Sequence, residues 1–127
     1  MGKNIGLVWL KDDFRLKRNF ALIEATKNHD QVVAFYLYKK KKLQSQEAQK
    51  WWISKSLESF SNDLEKFNIK LETIISDETS FYSKLKTKDK ISIYWNKVYE
   101  PDHLKLDKEI EKILEKKDIP FKFFKGN

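Results

Sequence analysis

Five short apolar runs, at residues 5–10, 32–38, 69–75, 91–95 and 121–124, punctuate an otherwise polar, lysine-rich chain. Each is apolar at most positions, as expected of strands covered by helices on both sides; a strand with one wet face alternates more cleanly. The segments between them carry helical spacing instead. Asn19 stands where it can cap a helix reaching about residue 27. The clearest helix is expected over 47–67, where Ile53, Leu57, Phe60, Leu64 and Phe67 recur at intervals of four and three along one stripe. Asp77 can cap a short helix bearing Phe81 and Leu85. Beyond Pro101, the positions Leu106, Ile110, Ile113 and Leu114 form a fourth stripe that ends near Lys117, before Pro120.

Strict alternation of strand and helix implies a parallel sheet with right-handed crossovers and helices on both faces. The expected fold class is α/β, a three-layer Rossmann-like, doubly wound sheet of five parallel strands in the order 3-2-1-4-5. In such sheets a ligand crevice opens where the order reverses, here between the first and fourth strands. Trp9 closes the first strand and Trp95 the fourth, and both runs then turn polar: Lys11-Asp12-Asp13 after one, Asn96-Lys97 and Glu100 after the other. An aromatic floor with a few convergent polar groups is a common way to build a small-molecule site. The alternative is that both tryptophans simply fill core, as buried tryptophan usually does.

At 127 residues the chain fits one domain, residues 1–127, with no internal repeat and no linker. Its net charge of +7 would favour a nucleic-acid partner, but of 26 basic residues only Arg15 and Arg18 are arginine. Lysine alone makes a poor reader of bases or bidentate gripper of phosphates. The Lys39-Lys40-Lys41-Lys42 run is therefore expected to be a solvated loop. Cysteine is absent, which excludes disulfides and thiolate chemistry, and His29 and His103 have no ligand spacing around them, so no metal is expected. The first apolar run is too short for a signal peptide or membrane span, so a cytoplasmic protein is the expectation. The three glycines, Gly2, Gly6 and Gly126, form neither a dinucleotide fingerprint nor a phosphate loop. No catalytic triad is legible, and as a free-standing enzyme the sequence is unconvincing.

Four stretches carry a resemblance. VWLKDDFRLKRNFAL (8–22), QKWWISKSL (49–57), YWNKVYEP (94–101) with Asp107 and Ile110, and FKGN at 124–127 resemble, in order and spacing, motifs of the DNA photolyase and cryptochrome family. The resemblance implies the N-terminal α/β domain of a class I type photolyase or a related cryptochrome. That domain houses a light-harvesting antenna chromophore. A separate helical domain binds FAD and repairs pyrimidine dimers in DNA, the carbon–carbon lyase reaction. No counterpart of the helical domain is expected in this chain, so catalytic residues, FAD and damaged DNA belong to that partner alone.

Carried over by position, the resemblance implies cofactor-binding roles for Trp9, Leu10, Lys11, Tyr36, Tyr38, Lys50, Trp51, Trp95, Asn96 and Glu100, with Asp13 and Arg15 anchoring the first loop by an ion pair. Trp9, Tyr36, Tyr38 and Trp95 would wall the pocket, and Asn96 and Glu100 would bond polar edges of the ring. Trp51 falls roughly opposite the Ile53–Leu57 stripe, which leaves it as a pocket wall, a cover against the helical domain, or a surface ring along lysine stems. Some relatives hold folate with a histidine after the second strand and an Asn-Glu pair after the glutamate. Here Leu43 and Asp102-His103 stand there, so a deazaflavin or FMN is at least as well matched as methenyltetrahydrofolate, and loss of any antenna is also open. Two further readings remain: a stand-alone module binding a flavin or a nucleotide such as AMP, and a structural half-protein docking on a separate helical FAD domain.

Overall fold

A computed structural model describes residues 4–11, 16, 19–38, 47–85 and 90–125, with backbone alone for 4, 38, 47–53 and 125. Strands β1 (Asn4–Leu10), β2 (Gln31–Tyr38), β3 (Lys70–Ile75), β4 (Lys90–Lys97) and β5 (Phe121–Lys125) alternate with helices α1 (Phe20–Asn28), α2 (Glu47–Glu65), α3 (Glu78–Ser83) and α4 (Pro101–Lys116). All sheet pairings are parallel, and the order is β3-β2-β1-β4-β5. The expected architecture and strand order are thus the observed ones.

Registry sorts the strand side chains between two cores. Trp9 lies beside Phe35 on β2 and Trp95 on β4. These side chains share one face with Ile93, packed against Tyr82 of α3 and Ile110 and Leu114 of α4. Their neighbours one residue along, Val8, Leu10, Ala34, Tyr36 and Tyr94, face the other way onto Ala21, Leu22 and Ala25 of α1 and Leu57, Phe60 and Leu64 of α2. A one-residue shift flips a strand side chain to the opposite face, so the two groups cannot mix. Fully burying one such side chain contributes about 1.5–3 kcal/mol, which makes the register strongly specified.

Two helices end by the same device. Asn68 and Asp118 take left-handed φ values of 59° and 57°. The amide of the next residue then bonds back into the helix, Ile69 N to Leu64 O at 3.1 Å and Ile119 N to Leu114 O at 3.0 Å. This is the Schellman arrangement, which satisfies the last carbonyls and buries an apolar residue just beyond the helix. It corrects the α2 stripe: the helix stops at Glu65, and Phe67, expected at its end, is swung out to 62 % exposure. The expectation that all five strands are covered on both faces also fails at β3. As an edge strand it leaves Lys70, Glu72, Thr73 and Ile75 exposed.

Asn19 caps α1 as expected, its Oδ1 accepting from Leu22 N at 3.2 Å. Asp77 stands before α3 and accepts from the Thr79 hydroxyl at 2.8 Å; bonds from Ser80 and Thr79 hold its carboxyl below the usual range. Gly6 has a packing reason: a β-carbon there would come within 2.8 Å of the His29 ring. That ring bonds the Tyr94 hydroxyl through Nε2 at 2.8 Å, which gives His29 a place in the packing between α1 and the sheet.

Candidate functional site

The strand order reverses between β1 and β4, and at their C-terminal ends the structure gathers a buried polar group. Lys11, the first residue past β1, reaches across the crevice to form an ion pair with Asp107 of α4. The two side chains are 3 % and 0 % exposed. The other carboxylate oxygen of Asp107 accepts from Trp95 Nε1 at 3.2 Å. The Lys11 ammonium also lies 4.2 Å from the centre of the Trp9 ring and 5.9 Å from that of Trp95. A cation over an indole face is attracted by the ring's quadrupole, more so when desolvated. Trp9 and Trp95 meet edge to face at 5.4 Å, and Trp95 stacks on Phe121 at 5.6 Å.

Tyr82 of α3 completes the cluster, its ring 5.3 Å from Trp9. The side chain is wholly buried and its hydroxyl has no hydrogen-bond partner among the described residues. Burial, and then the negative charges of Asp107 and Glu78, push that hydroxyl well above the ordinary tyrosine value of 10.0. A raised pKa means that folding favours the neutral phenol. The stabilisation is complete below pH 10, and is lost as the pH rises above it, because only the unfolded chain then gives up the proton readily. Replacing Tyr82 with Phe removes an unpartnered buried hydroxyl, a group that costs about 1–3 kcal/mol. The variant is expected to gain about 1 kcal/mol in urea unfolding at pH 7. It should also lose less stability than the parent between pH 9 and pH 11.

The sequence-derived site divides. Trp9, Lys11 and Trp95 come together. Leu10 and Tyr36 lie on the opposite face of the sheet, in the α1–α2 core, so Tyr36 cannot share a wall with the tryptophans; strand alternation separates them. Asn96 is 4 % exposed and works inside the fold: its Oδ1 accepts from Ala21 N at 3.1 Å, and its Nδ2 donates to Asn19 Oδ1 at 2.7 Å. It thereby ties the first turn of α1 to the end of β4. Glu100 is exposed at the N-cap of α4 and makes no capping bond with its side chain. Asp13 and Arg15, the Lys39-Lys40-Lys41-Lys42 run and Leu43 lie outside the described residues, as do the side chains of Tyr38, Lys50 and Trp51.

Asp107, Glu78 and Tyr82 were absent from the sequence-derived site. For Asp107 a signal exists: it sits three and seven residues before Ile110 and Leu114, which puts a carboxylate on the buried stripe of α4. A buried acid on such a stripe needs a partner, and Lys11 is the cation at the facing strand end. Tyr82 carries no comparable mark, because a tyrosine on a short amphipathic helix reads as ordinary core.

A model of the DNA photolyase family matches residues 6–127. The chain belongs to the DNA photolyase family. The match is to the family as a whole, and the class I reading of the motifs forms no part of it. Among the curated relatives, a deoxyribodipyrimidine photo-lyase of Agrobacterium fabrum is 28 % identical over 121 residues, covering 94 % of this chain and 25 % of its own. A bacterial class III photolyase from Agrobacterium tumefaciens superposes with a TM-score of 0.82 at 27 % identity, over 99 % of this chain and 26 % of that one. An archaeal photolyase from Sulfolobus tokodaii, solved with two FAD molecules, gives 0.83 at 23 % identity over 95 % of this chain and 29 % of that one; this likeness is one of fold. The chain thus spans about a quarter of the length of these photolyases. Its five-stranded sheet is that of their N-terminal α/β domain. Among the described residues no helix is long and apolar enough to cross a membrane, and no three His, Cys, Asp or Glu side chains converge as metal ligands.

Proposed function

We propose that this photolyase-family domain is an antenna module, holding a light-absorbing chromophore at the switch point of its sheet. The observation that carries the reading is the convergence of Trp9, Trp95, Lys11 and Asp107 at the C-terminal ends of β1 and β4. Ring edges, an ammonium and a carboxylate there match the needs of a conjugated heterocycle with polar carbonyl or anionic edges. The proposed chromophore is flavin-like, a deazaflavin or FMN, because Asp102-His103 stands where folate-holding relatives carry an Asn-Glu pair. When bound, the chromophore supplies absorption of near-ultraviolet or blue light. The protein's own share is to hold the ring rigidly, exclude water and fix its orientation. Lys11 would donate to an acceptor on the ring edge, while Asp107, oriented by Trp95, holds the ammonium in place. Repair chemistry, FAD and damaged DNA are assigned to a helical photolyase domain that receives the excitation.

One observation favours a second reading. Lys11 and Asp107 already satisfy each other and close the crevice, as expected of a domain that has lost its antenna and serves as the structural half of a photolyase. Titration of the purified domain with deazaflavin, FMN, methenyltetrahydrofolate and AMP, followed by absorption and tryptophan emission, separates the two. The antenna reading expects saturable binding of a flavin-type chromophore at micromolar concentration. AMP binding in its place would make the domain a nucleotide module, and no binding of any of the four to a folded domain would leave the structural reading.

A further inference from the structure

The two edges of the sheet differ in what they offer a neighbour. Strand β3 ends the sheet on one side and β5 on the other. An edge strand turns a row of backbone N–H and C=O groups away from its one partner, a template for a further strand. On β3 the side chains divide by face. Leu71 packs on the α1–α2 core, and Thr73 and Ile75 share its side of the sheet. Ile74 packs on the Trp9–Trp95 core, and Lys70 and Glu72 share its side. Lys70 and Glu72 are exposed and meet each other at 3.3 Å. Phe67, just before the strand, and Ile75, at its end, are 62 % and 65 % exposed, the most of any large apolar side chain among the described residues.

We infer that β3 pairs antiparallel with β3 of a second copy of this chain, with Leu71 on the two-fold axis. The strand sequence KLETII selects both the partner and the register. A two-fold axis normal to the sheet keeps matching faces of the two copies on one side, so each residue opposes one an even number of positions away. Centring the pair on Lys70 or on Glu72 would set like charges directly opposite, which is unfavourable. Centring it on Thr73 leaves both charges without an opposite partner. Centring it on Leu71 sets Lys70 of each copy against Glu72 of the other. The same register brings the Phe67 end of one copy to the Ile75 end of the other, so the two most exposed apolar groups cover each other. Charges on an edge commonly keep it single. Here opposite signs two residues apart admit one specific copy. The other edge offers no such match, because β5 reads FKFFK, with two lysines and no acid.

Sedimentation velocity of the purified chain tests both the dimer and its register. The parent is expected to dimerise reversibly at micromolar concentration. Glu72→Lys and Lys70→Glu each change an exposed side chain and set like charges opposite, so each should raise the dimer Kd by about tenfold or more. An equimolar mixture of the two variants should restore the parent's affinity, because each copy then meets opposite charges on the other. The double exchange Lys70→Glu/Glu72→Lys in one chain should restore it too. A variant that had merely failed to fold would not be rescued by mixing. A parent that stays monomeric up to millimolar concentration overturns the inference. So do single variants that dimerise like the parent, or a mixture that associates no more tightly than its components.

Discussion

Replacing Asp107 with Ala should destabilise the domain by about 3–5 kcal/mol, because it takes the buried carboxylate away from a Lys11 ammonium held among the aromatic rings. Such a loss is a large part of the roughly 5–15 kcal/mol that holds a domain of this size together. The cost comes from keeping a charge buried with less to compensate it, more than from the attraction removed. The double variant Lys11→Met/Asp107→Leu, which removes both charges and keeps apolar volume, should therefore recover most of the loss. A urea-denaturation cycle over the parent, the two single variants and the double variant gives the coupling directly. An Asp107→Ala loss below about 1 kcal/mol would mean that the lysine stem swings its head into water, as lysines at an edge can. The pair would then be no buried floor for a ligand.

The second large effect is expected at Asn96. Leucine has nearly the same size but leaves Ala21 N without its Asn96 acceptor and takes the Asn96 donor from Asn19 Oδ1. Buried groups left unpaired cost about 1–3 kcal/mol each, so Asn96→Leu should lose about 2–4 kcal/mol. The loss should also be local. Hydrogen exchange should quicken first in α1, whose opening turn Asn96 holds, and only later in α4. Asn96→Asp is expected to do little better, because a carboxylate can accept from Ala21 N but turns a second oxygen toward Asn19. Uniform quickening across both helices would show that Asn96 supports the core in general rather than the start of α1.

What was legible in the sequence follows from the physics of each feature. Strand count, order and most boundaries could be read because helical and strand periods differ, and because parallel strands buried on both faces stand out as apolar runs. Phe67 was misread because a stripe of apolar spacings continues past the residue where Asn68 takes its left-handed turn, and spacing alone does not register backbone handedness. Trp9 and Trp95 were placed together correctly, since both end strands that flank the switch point. Tyr36 was wrongly put with them, because being near a strand end does not fix which face a side chain takes. Asn96 carried a polar signal that was real, and the structure shows it bonding the start of α1. Asp107 was legible as part of the third motif, but its pairing was not: 96 residues separate it from the lysine that makes its burial tolerable.

The β1–β4 switch point of this photolyase-family domain is proposed to hold a flavin-like chromophore. Two-dimensional nitrogen–proton NMR of the labelled domain tests it most directly, because the indole signals of Trp9 and Trp95 and the amides of 10–11 and 96–100 can be followed as FMN or deazaflavin is added. Saturable shifts concentrated in those signals are expected, with the Trp95 indole among the largest and α2 little changed. Shifts confined to α2 and β3, or a spectrum unmoved by either chromophore, would contradict it.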